Sequence, residues 1–266
     1  MNKNNKIDIS AIVTFHAEGL VAHRTLLGLE RVRKYANQHN IVVEFVLVLD
    51  TADTETRRIV RSSPVLREID QILEVTNADL GSSRNSGIAA SKAEFIGIFD
   101  GDDYYSENWL FAALNTTKSK EGDVVVHPDY VLSFGAIHAI AQLLDMDRTP
   151  EYPLENLFSV HPWISSSFAK RQIYLEHPYL RADAQKTGFG FEDWHWNLEV
   201  LAGGGRHVSA PDTALFYRRK NSSMLVDQLN AKAIIRPNRF FNAPENWDVT
   251  RHYRTQSGLS PDGVGL

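Results

Sequence analysis

The first half of the chain alternates short apolar blocks with amphipathic ones. Ile7 to Phe15 is nearly continuous in β-branched and apolar residues, the pattern of a strand buried on both faces. Val21 to Gln38 places Leu26, Leu27, Leu29, Val32 and Tyr35 at helical intervals among basic residues. Ile41 to Leu49 predicts a second buried strand, Thr54 to Arg61 a short helix, and Ile69 to Val75 a third strand. After the turn-forming run Asn77 to Gly87, a helix is expected over Ser86–Lys92, then a strand from Glu94, a helix over Trp109–Ser119 and a strand over Asp123–His127. Strand, helix, strand at this spacing predicts an α/β fold whose sheet is mostly parallel and flanked by crossover helices.

Beyond Pro128 the periodicity loosens. A helix is expected over Phe134–Leu144, and Asp145 to Pro162, with three prolines, reads as a long functional loop. Trp163–Phe168 predicts a strand, Arg171–Glu176 a short helix, and Arg181–Gly190 a mobile stretch of small and polar residues. Glu192 to Leu201 predicts a helix stopped by Gly203–Gly205, and His207 to Tyr217 a strand ending in Arg218, Arg219 and Lys220. From about Arg236 the sequence has no clear period. It is read as an appendage, or a linker to a further module, after a domain spanning 1–235 whose halves meet at residue 127.

Composition narrows the classes. The chain has 266 residues, 43% hydrophobic, enough for one large α/β domain or two small ones. A net charge of −5 argues against a nucleic-acid partner held by bulk charge. With no cysteine, disulfides, thiolate zinc sites and cysteine nucleophiles are excluded. The polar stretch Met1–Lys6 lacks the apolar centre of a signal peptide, and no apolar run is long enough to span a bilayer. A soluble, cytoplasmic protein is expected, with a peripheral place at the inner face of the membrane left open.

The chemistry concentrates in Glu94–Tyr105. An apolar strand runs into a Gly-Asp turn carrying Asp100, Asp102 and Asp103, so these acids should stand at the strand's C-terminal end. That edge is where open α/β sheets bind ligands. Crowded carboxylates repel one another unless a cation joins them, and hard oxygen donors suit Mg²⁺ or Mn²⁺, often with a phosphate. The plain alternative is a solvated acidic turn. His161, His195 and His207 match no compact zinc spacing.

At this point the chain resembles the family-2 glycosyltransferases with the GT-A fold, over roughly residues 7–225. Leu80-Gly-Ser-Ser-Arg-Asn-Ser-Gly87 is similar to the family's Gly-x-x-x-Arg-Asn-x-Gly element, and Phe99-Asp-Gly-Asp-Asp103 to its Asp-x-Asp metal motif. Gly190-Phe-Glu-Asp-Trp194 resembles its Glu-Asp motif, and Tyr217 to Met224 the basic segment that follows. The resemblance implies a metal-dependent, inverting transferase of hexosyl or N-acetylhexosaminyl groups. Asp193 is then the general base and Glu192 its neighbour, orienting the acceptor or the helix. Asp102, with Asp100 or Asp103, holds Mn²⁺ or Mg²⁺. Thr14, His16, Glu18, Asp50, Arg84, Asp100, Gly101, Arg218, Arg219 and Lys220 face the nucleotide-sugar, with Asp50 near base or ribose and Arg84 near base or phosphate. Trp163 and Trp194 line the acceptor.

The implied donor is a nucleotide-diphosphate-sugar, UDP-linked first and dTDP-linked second. The implied acceptor is a saccharide or lipid-linked saccharide in bacterial surface polysaccharide synthesis, such as O-antigen or capsule. The family often carries a histidine in the basic segment where this chain has Arg219 or Lys220, which shifts phosphate neutralisation toward positive side chains. A nucleotidyltransferase would carry a Gly-rich basic loop after the first strand, where this chain has Phe15-His-Ala-Glu-Gly-Leu20. A catalytically silent binding module of an assembly complex is the remaining alternative.

Overall fold

The computed structural model describes residues 6–220 and 223–243. The first half follows the expected order: β1 (Ile9–Phe15), α1 (Leu20–Gln38), β2 (Val43–Asp50), α2 (Thr54–Arg61), β3 (Gln71–Val75), α3 (Leu80–Ala90) and β4 (Phe95–Asp100). A two-residue β5 (Tyr104–Tyr105), α4 (Trp109–Ser119), β6 (Val124–Gly135) and β7 (Ala139–Gln142) come next. After a 3₁₀ turn at Leu154–Phe158 follow β8 (Phe168–Lys170), α5 (Arg171–Glu176), α6 (Ala184–Thr187), β9 (Phe189–Gly190) and α7 (Glu192–Ala202). The last elements are β10 (Arg206–Arg219), α8 (Met224–Asn230) and β11 (Ile234–Ile235).

Nine of these strands form one sheet, in the order β3-β2-β1-β4-β8-β6-β10-β5, with β7 paired to β6. β3, β2, β1 and β4 run parallel, while the short β8 joins β4 and β6 antiparallel. The result is a mixed sheet flanked by helices, parallel at the end where the first half was expected to build it. Every residue of β1 and β2 is buried, because helices cover both faces. Alternate side chains separate into two cores. Ala11, Val13, Leu47 and Leu49 pack under α1, α2 and α4, and Ile12, Val46, Val48 and Ile98 pack under α3, α5 and α7. A third, smaller cluster gathers Leu157, Trp163, Leu198 and Phe240 below α7. Phe240 belongs to the stretch read as an appendage, so at least that part of it packs against the domain. Residues 244–266 lie outside the described residues.

Four expectations are corrected. The helix over Phe134–Leu144 is instead a hairpin, with β7 paired antiparallel to Tyr130–Ser133. Gly135 makes the turn at φ 99°, and a Cβ there would meet the Arg219 carbonyl at 2.6 Å. The strand over Trp163–Phe168 begins only at Phe168. α3 starts six residues before the expected Ser86, because Asp79 caps it by accepting from the Ser82 amide at 2.7 Å. The stretch Arg181–Gly190 folds locally: Asp183 caps α6, and β9 pairs with β11. Among the described residues no helix is long and apolar enough to cross a membrane.

Candidate active site

The sheet register brings the site together. Thr14 pairs with both Val48 and Asp100, so the C-terminal ends of β1, β2 and β4 stand side by side. Gly101 follows at once, and packing alone explains it. A Cβ there would lie 2.6 Å from the Thr14 carbonyl and 2.5 Å from the Phe15 ring. β5 then pairs with Leu215 and Phe216, which returns the end of β10 over the acidic turn.

The three aspartates of that turn have separate environments. Asp103 is buried at 1% exposure and accepts from the Arg218 amide at 2.9 Å. Burial, with Asp102 and Asp100 beside it, holds its carboxyl well above the usual range. Its buried carboxyl holds the turn through the Arg218 amide, where a share in metal binding was expected. Asp100 accepts from Arg84 at 2.9 Å on one oxygen and from the Ser165 hydroxyl at 2.7 Å on the other. Asp102 is partly exposed, and Lys220 places its ammonium 2.5 Å from Oδ2. Glu18 is raised chiefly by burial, with Asp102 contributing and Lys220 opposing, so it faces the same spot. Its carboxylate accepts from the His16 amide at 2.6 Å, while His16 Nδ1 lies 2.8 Å from the Asp50 carbonyl.

Arg84 departs most from expectation. Fully buried in α3, it donates to Asp100 at 2.9 Å and to Glu192 at 3.0 Å, with its guanidinium 5.3 Å from the Tyr179 ring. It therefore joins the acidic turn to the Glu-Asp pair and is not free for base or phosphate. α3 lies close enough for this because Gly87 faces the sheet, where a Cβ would lie 2.4 Å from Ile12 and 3.0 Å from Val48. Asp50 is likewise committed. Although burial opposes its ionisation, hydrogen bonds from the Ala78 amide, the Ser83 hydroxyl and the Asp79 amide hold its carboxyl below the usual range. It anchors the turn before α3, where contact with base or ribose was expected.

The Glu-Asp pair opens α7, where acids suit the helix N-terminus. Glu192 is buried, and burial followed by the adjacent Asp193 pushes its carboxyl up to about 7 against the opposing pull of Arg84. Asp193 is more open: Oδ1 accepts from the Trp194 amide at 2.8 Å, and Oδ2 lies 4.0 Å from His161 Nδ1. Among the described residues Asp193 has no Lys or Arg ion-pair partner within 4.0 Å, unlike Asp100, Asp102 and Glu192.

Of the basic trio only Lys220 brings its side-chain charge to a carboxylate, while Arg218 donates its Nε to the Asp102 carbonyl at 3.3 Å. Arg218 donates to the Tyr104 hydroxyl at 2.9 Å and lies over Phe134, and Arg219 reaches Ser133 at 3.4 Å. Trp194 is half-buried, stacks on His161 at 5.6 Å, and donates to the Leu157 carbonyl. Trp163 is a core residue at 3% exposure, stacked on His207 at 4.1 Å and donating to the Leu144 carbonyl, which corrects its acceptor-lining role. Sequence reasoning missed Ser165, Tyr179, Asn197 and the placement of His161. Of these only His161 had drawn notice, as one of three histidines whose spacing matches no zinc site.

Among the described residues no three carboxylates or imidazoles converge as a metal cage. Mg²⁺ and Mn²⁺ need less, commonly one or two carboxylates plus substrate phosphates. Asp102 fits that need: it is partly exposed, its charge is matched among the described residues only by Lys220, and Asp100 stands nearby on the same turn.

A mixed sheet with acids at its parallel strand ends, faced by a Glu-Asp pair on a later helix, defines a GT-A architecture. The chain belongs to glycosyl transferase family 2, whose profile matches residues 10–150. It is similar to the uncharacterised glycosyltransferase EpsJ of Bacillus subtilis (strain 168), 25% identical over 190 residues, 70% of this chain and 55% of that protein. The chain thus spans about half the length of the curated relative it matches. In structure it resembles S. aureus TarS 1–349 in complex with UDP-GlcNAc (TM-score 0.63, 16% identity, 89% of this chain and 64% of that one). It also resembles the mannosyltransferase PcManGT of Pyrobaculum calidifontis in complex with GDP-Man and Mn²⁺ (TM-score 0.55, 15% identity, 82% and 58%).

Proposed function

We propose that this chain transfers a hexosyl or N-acetylhexosaminyl group from a nucleotide-diphosphate-sugar to a saccharide hydroxyl, inverting the anomeric carbon. The observation that carries the reading is Arg84, which ties Asp100 of the acidic turn to Glu192, the neighbour of Asp193. Donor-side and acceptor-side carboxylates thereby belong to one site.

In the reaction the acceptor oxygen attacks the anomeric carbon as the carbon–oxygen bond to the diphosphate breaks. The bonding pair leaves with the nucleoside diphosphate, and the hydroxyl proton passes to Asp193 as general base. Asp102, assisted by Asp100, would hold a divalent ion, whose chemistry is to neutralise charge on the leaving diphosphate. Lys220 supplies fixed positive charge beside the same carboxylate. Arg84 and Ser165 keep Asp100 oriented, and Trp194 offers a ring face to the acceptor. The relatives solved with UDP-GlcNAc and GDP-Man support a nucleotide-sugar donor. UDP-sugars are our first assignment, with dTDP-sugars second and GDP-sugars opened by the second relative. Surface-polysaccharide assembly at the inner membrane face, on a saccharide or lipid-linked saccharide, is the matching role.

A thermal-shift panel of nucleoside diphosphates and their sugars, with and without Mn²⁺, tests the donor site, because a ligand of the native state raises apparent stability. One nucleotide whose shift depends on metal and is lost in Asp102→Ala is expected. Asp193→Ala should keep that shift and lose transfer. Full transfer by this variant removes the base assignment, and saccharide binding with no nucleotide shift points to a silent module.

A further inference from the structure

His161 lies in the proline-rich loop before β8, and its ring stacks nearly parallel on Trp194 with centroids 5.6 Å apart. Asn197, one turn after Asp193 on α7, places its side-chain nitrogen 2.8 Å from His161 Nε2. With the Asn197 nitrogen donating, Nε2 is the accepting lone pair and the neutral ring carries its proton on Nδ1; in this orientation Asn197 Oδ1 is buried with no hydrogen-bond partner among the described residues. Nδ1 is the nitrogen facing Asp193 Oδ2, at 4.0 Å.

We propose that His161 is a positioning residue for Asp193: Asn197 fixes the imidazole as the Nδ1–H form, and that N–H aims the carboxylate at the acceptor hydroxyl whose proton it receives. The role rests on the reading of Asp193 as general base. A 4.0 Å separation exceeds a formed hydrogen bond, and catalytic contacts of this kind commonly tighten only when substrate is bound. Burial lowers the proton affinity of His161, and Asp193 only partly offsets this, so the ring serves as a neutral donor and not as a standing cation.

The surroundings narrow the alternatives. Asp193 is faced by Glu192 on its own helix, by Arg84 from α3, by Tyr179 and by His161. Arg84 is held by Asp100 and Glu192, and Tyr179 is buried and neutral, burial raising its hydroxyl well above the usual phenol range. His161 is the group placed to donate to the outer oxygen. Its ring is braced by the Trp163 edge at 6.4 Å as well as by Trp194. Trp163 in turn stacks on His207, so the donor rests on a buried aromatic floor.

Histidine-ring nitrogen-15 NMR of the full chain reads the tautomer without any substrate, the His161 signals being assigned by their loss in His161→Asn. A protonated Nδ1 and a bare Nε2 are expected in wild type, and Asn197→Ala should release the ring from that form. In donor-saturated transfer assays His161→Ala should lower kcat roughly tenfold with the donor KM unchanged. His161→Asn, whose amide can donate from the Nδ1 position, should restore most of that kcat, while His161→Gln, which reaches only the Nε2 position, should behave like Ala. A protonated Nε2 in wild type, or equal kcat in the Asn and Gln variants, overturns the proposal. Transfer measured in Asp193→Asn tests the base assignment separately, so loss of that assignment is distinguishable from loss of the histidine contact.

Discussion

Replacing Arg84 by methionine removes one guanidinium and leaves two carboxylates without their buried partner. Arg84 has no exposed surface, and the Glu192 side chain is only 3% exposed, so water cannot substitute for the lost hydrogen bonds. Asp100 keeps Ser165, but Glu192 is left beside Asp193, which already raises it. Breaking a buried ion pair by removing one member costs about 3–5 kcal/mol, most of it from the uncompensated charge. For a chain of this size each kcal/mol moves the melting midpoint by roughly 2–4 °C, so Arg84→Met should melt roughly 6–20 °C below wild type at neutral pH. Adding Glu192→Gln removes the stranded charge and should recover a substantial part of the loss. Urea unfolding of wild type, both single variants and the double variant gives the coupling term directly. An Arg84→Met protein within 1 kcal/mol of wild type, or additive losses in the double variant, would refute a bridging role for the guanidinium.

Three further outcomes follow from the geometry. Because the folded chain holds the Glu192 proton more tightly than the unfolded one, with the carboxyl at about 7 against an ordinary 4.5, that group's contribution is fully present below about 4.5 and is lost as pH rises toward 7. The stability of Glu192→Gln relative to wild type should therefore grow between pH 5 and 8, with a ceiling of about 3 kcal/mol, and parallel stability–pH curves would contradict this. Lys220→Met removes the cation paired with Asp102, so Mn²⁺ followed by electron paramagnetic resonance without nucleotide should bind roughly two- to fivefold tighter, as suits a partly exposed pair; unchanged binding would show that the lysine does not compete for that carboxylate. Gly87→Ala pushes a methyl against Ile12 and Val48 and should cost about 1–3 kcal/mol in denaturant unfolding, whereas a more stable variant would mean that α3 can move away freely.

The sequence was most legible where local chemistry decides the structure. α2 occupies the expected Thr54–Arg61 because Asp53 caps it by accepting from the Thr56 amide, and α4 and α5 also match their expected limits. It misled where apolar spacing was ambiguous. Phe134, Ile137 and Ile140 fall at helical intervals, yet they belong to an edge hairpin that leaves Ile137 and Ile140 exposed. The acidic turn was visible, but not the division of labour within it. Asp102 and Asp103 are adjacent, and only the return of β10 buries one under the Arg218 amide. Arg84 and Asp50 carried the right chemistry for ligands, but partners outside their own elements claim them. Trp163 showed the same limit: a large aromatic in a loop reads as a binding face until the histidine stacked on it is known.

The bridge through Arg84 also sets an order of events during synthesis. Asp100 leaves the ribosome soon after Arg84, but Glu192 lies 108 residues beyond it. At about 5–20 residues per second, the guanidinium waits roughly 5–20 s for its second partner. The matched family segment, residues 10–150, is complete by then, yet it contains neither Glu192, Asp193 nor Lys220. A nascent chain can thus have the sheet and the acidic turn while α3 still carries a cation meant for burial and only half neutralised. That interval closes only when α7 docks and Glu192 meets the guanidinium.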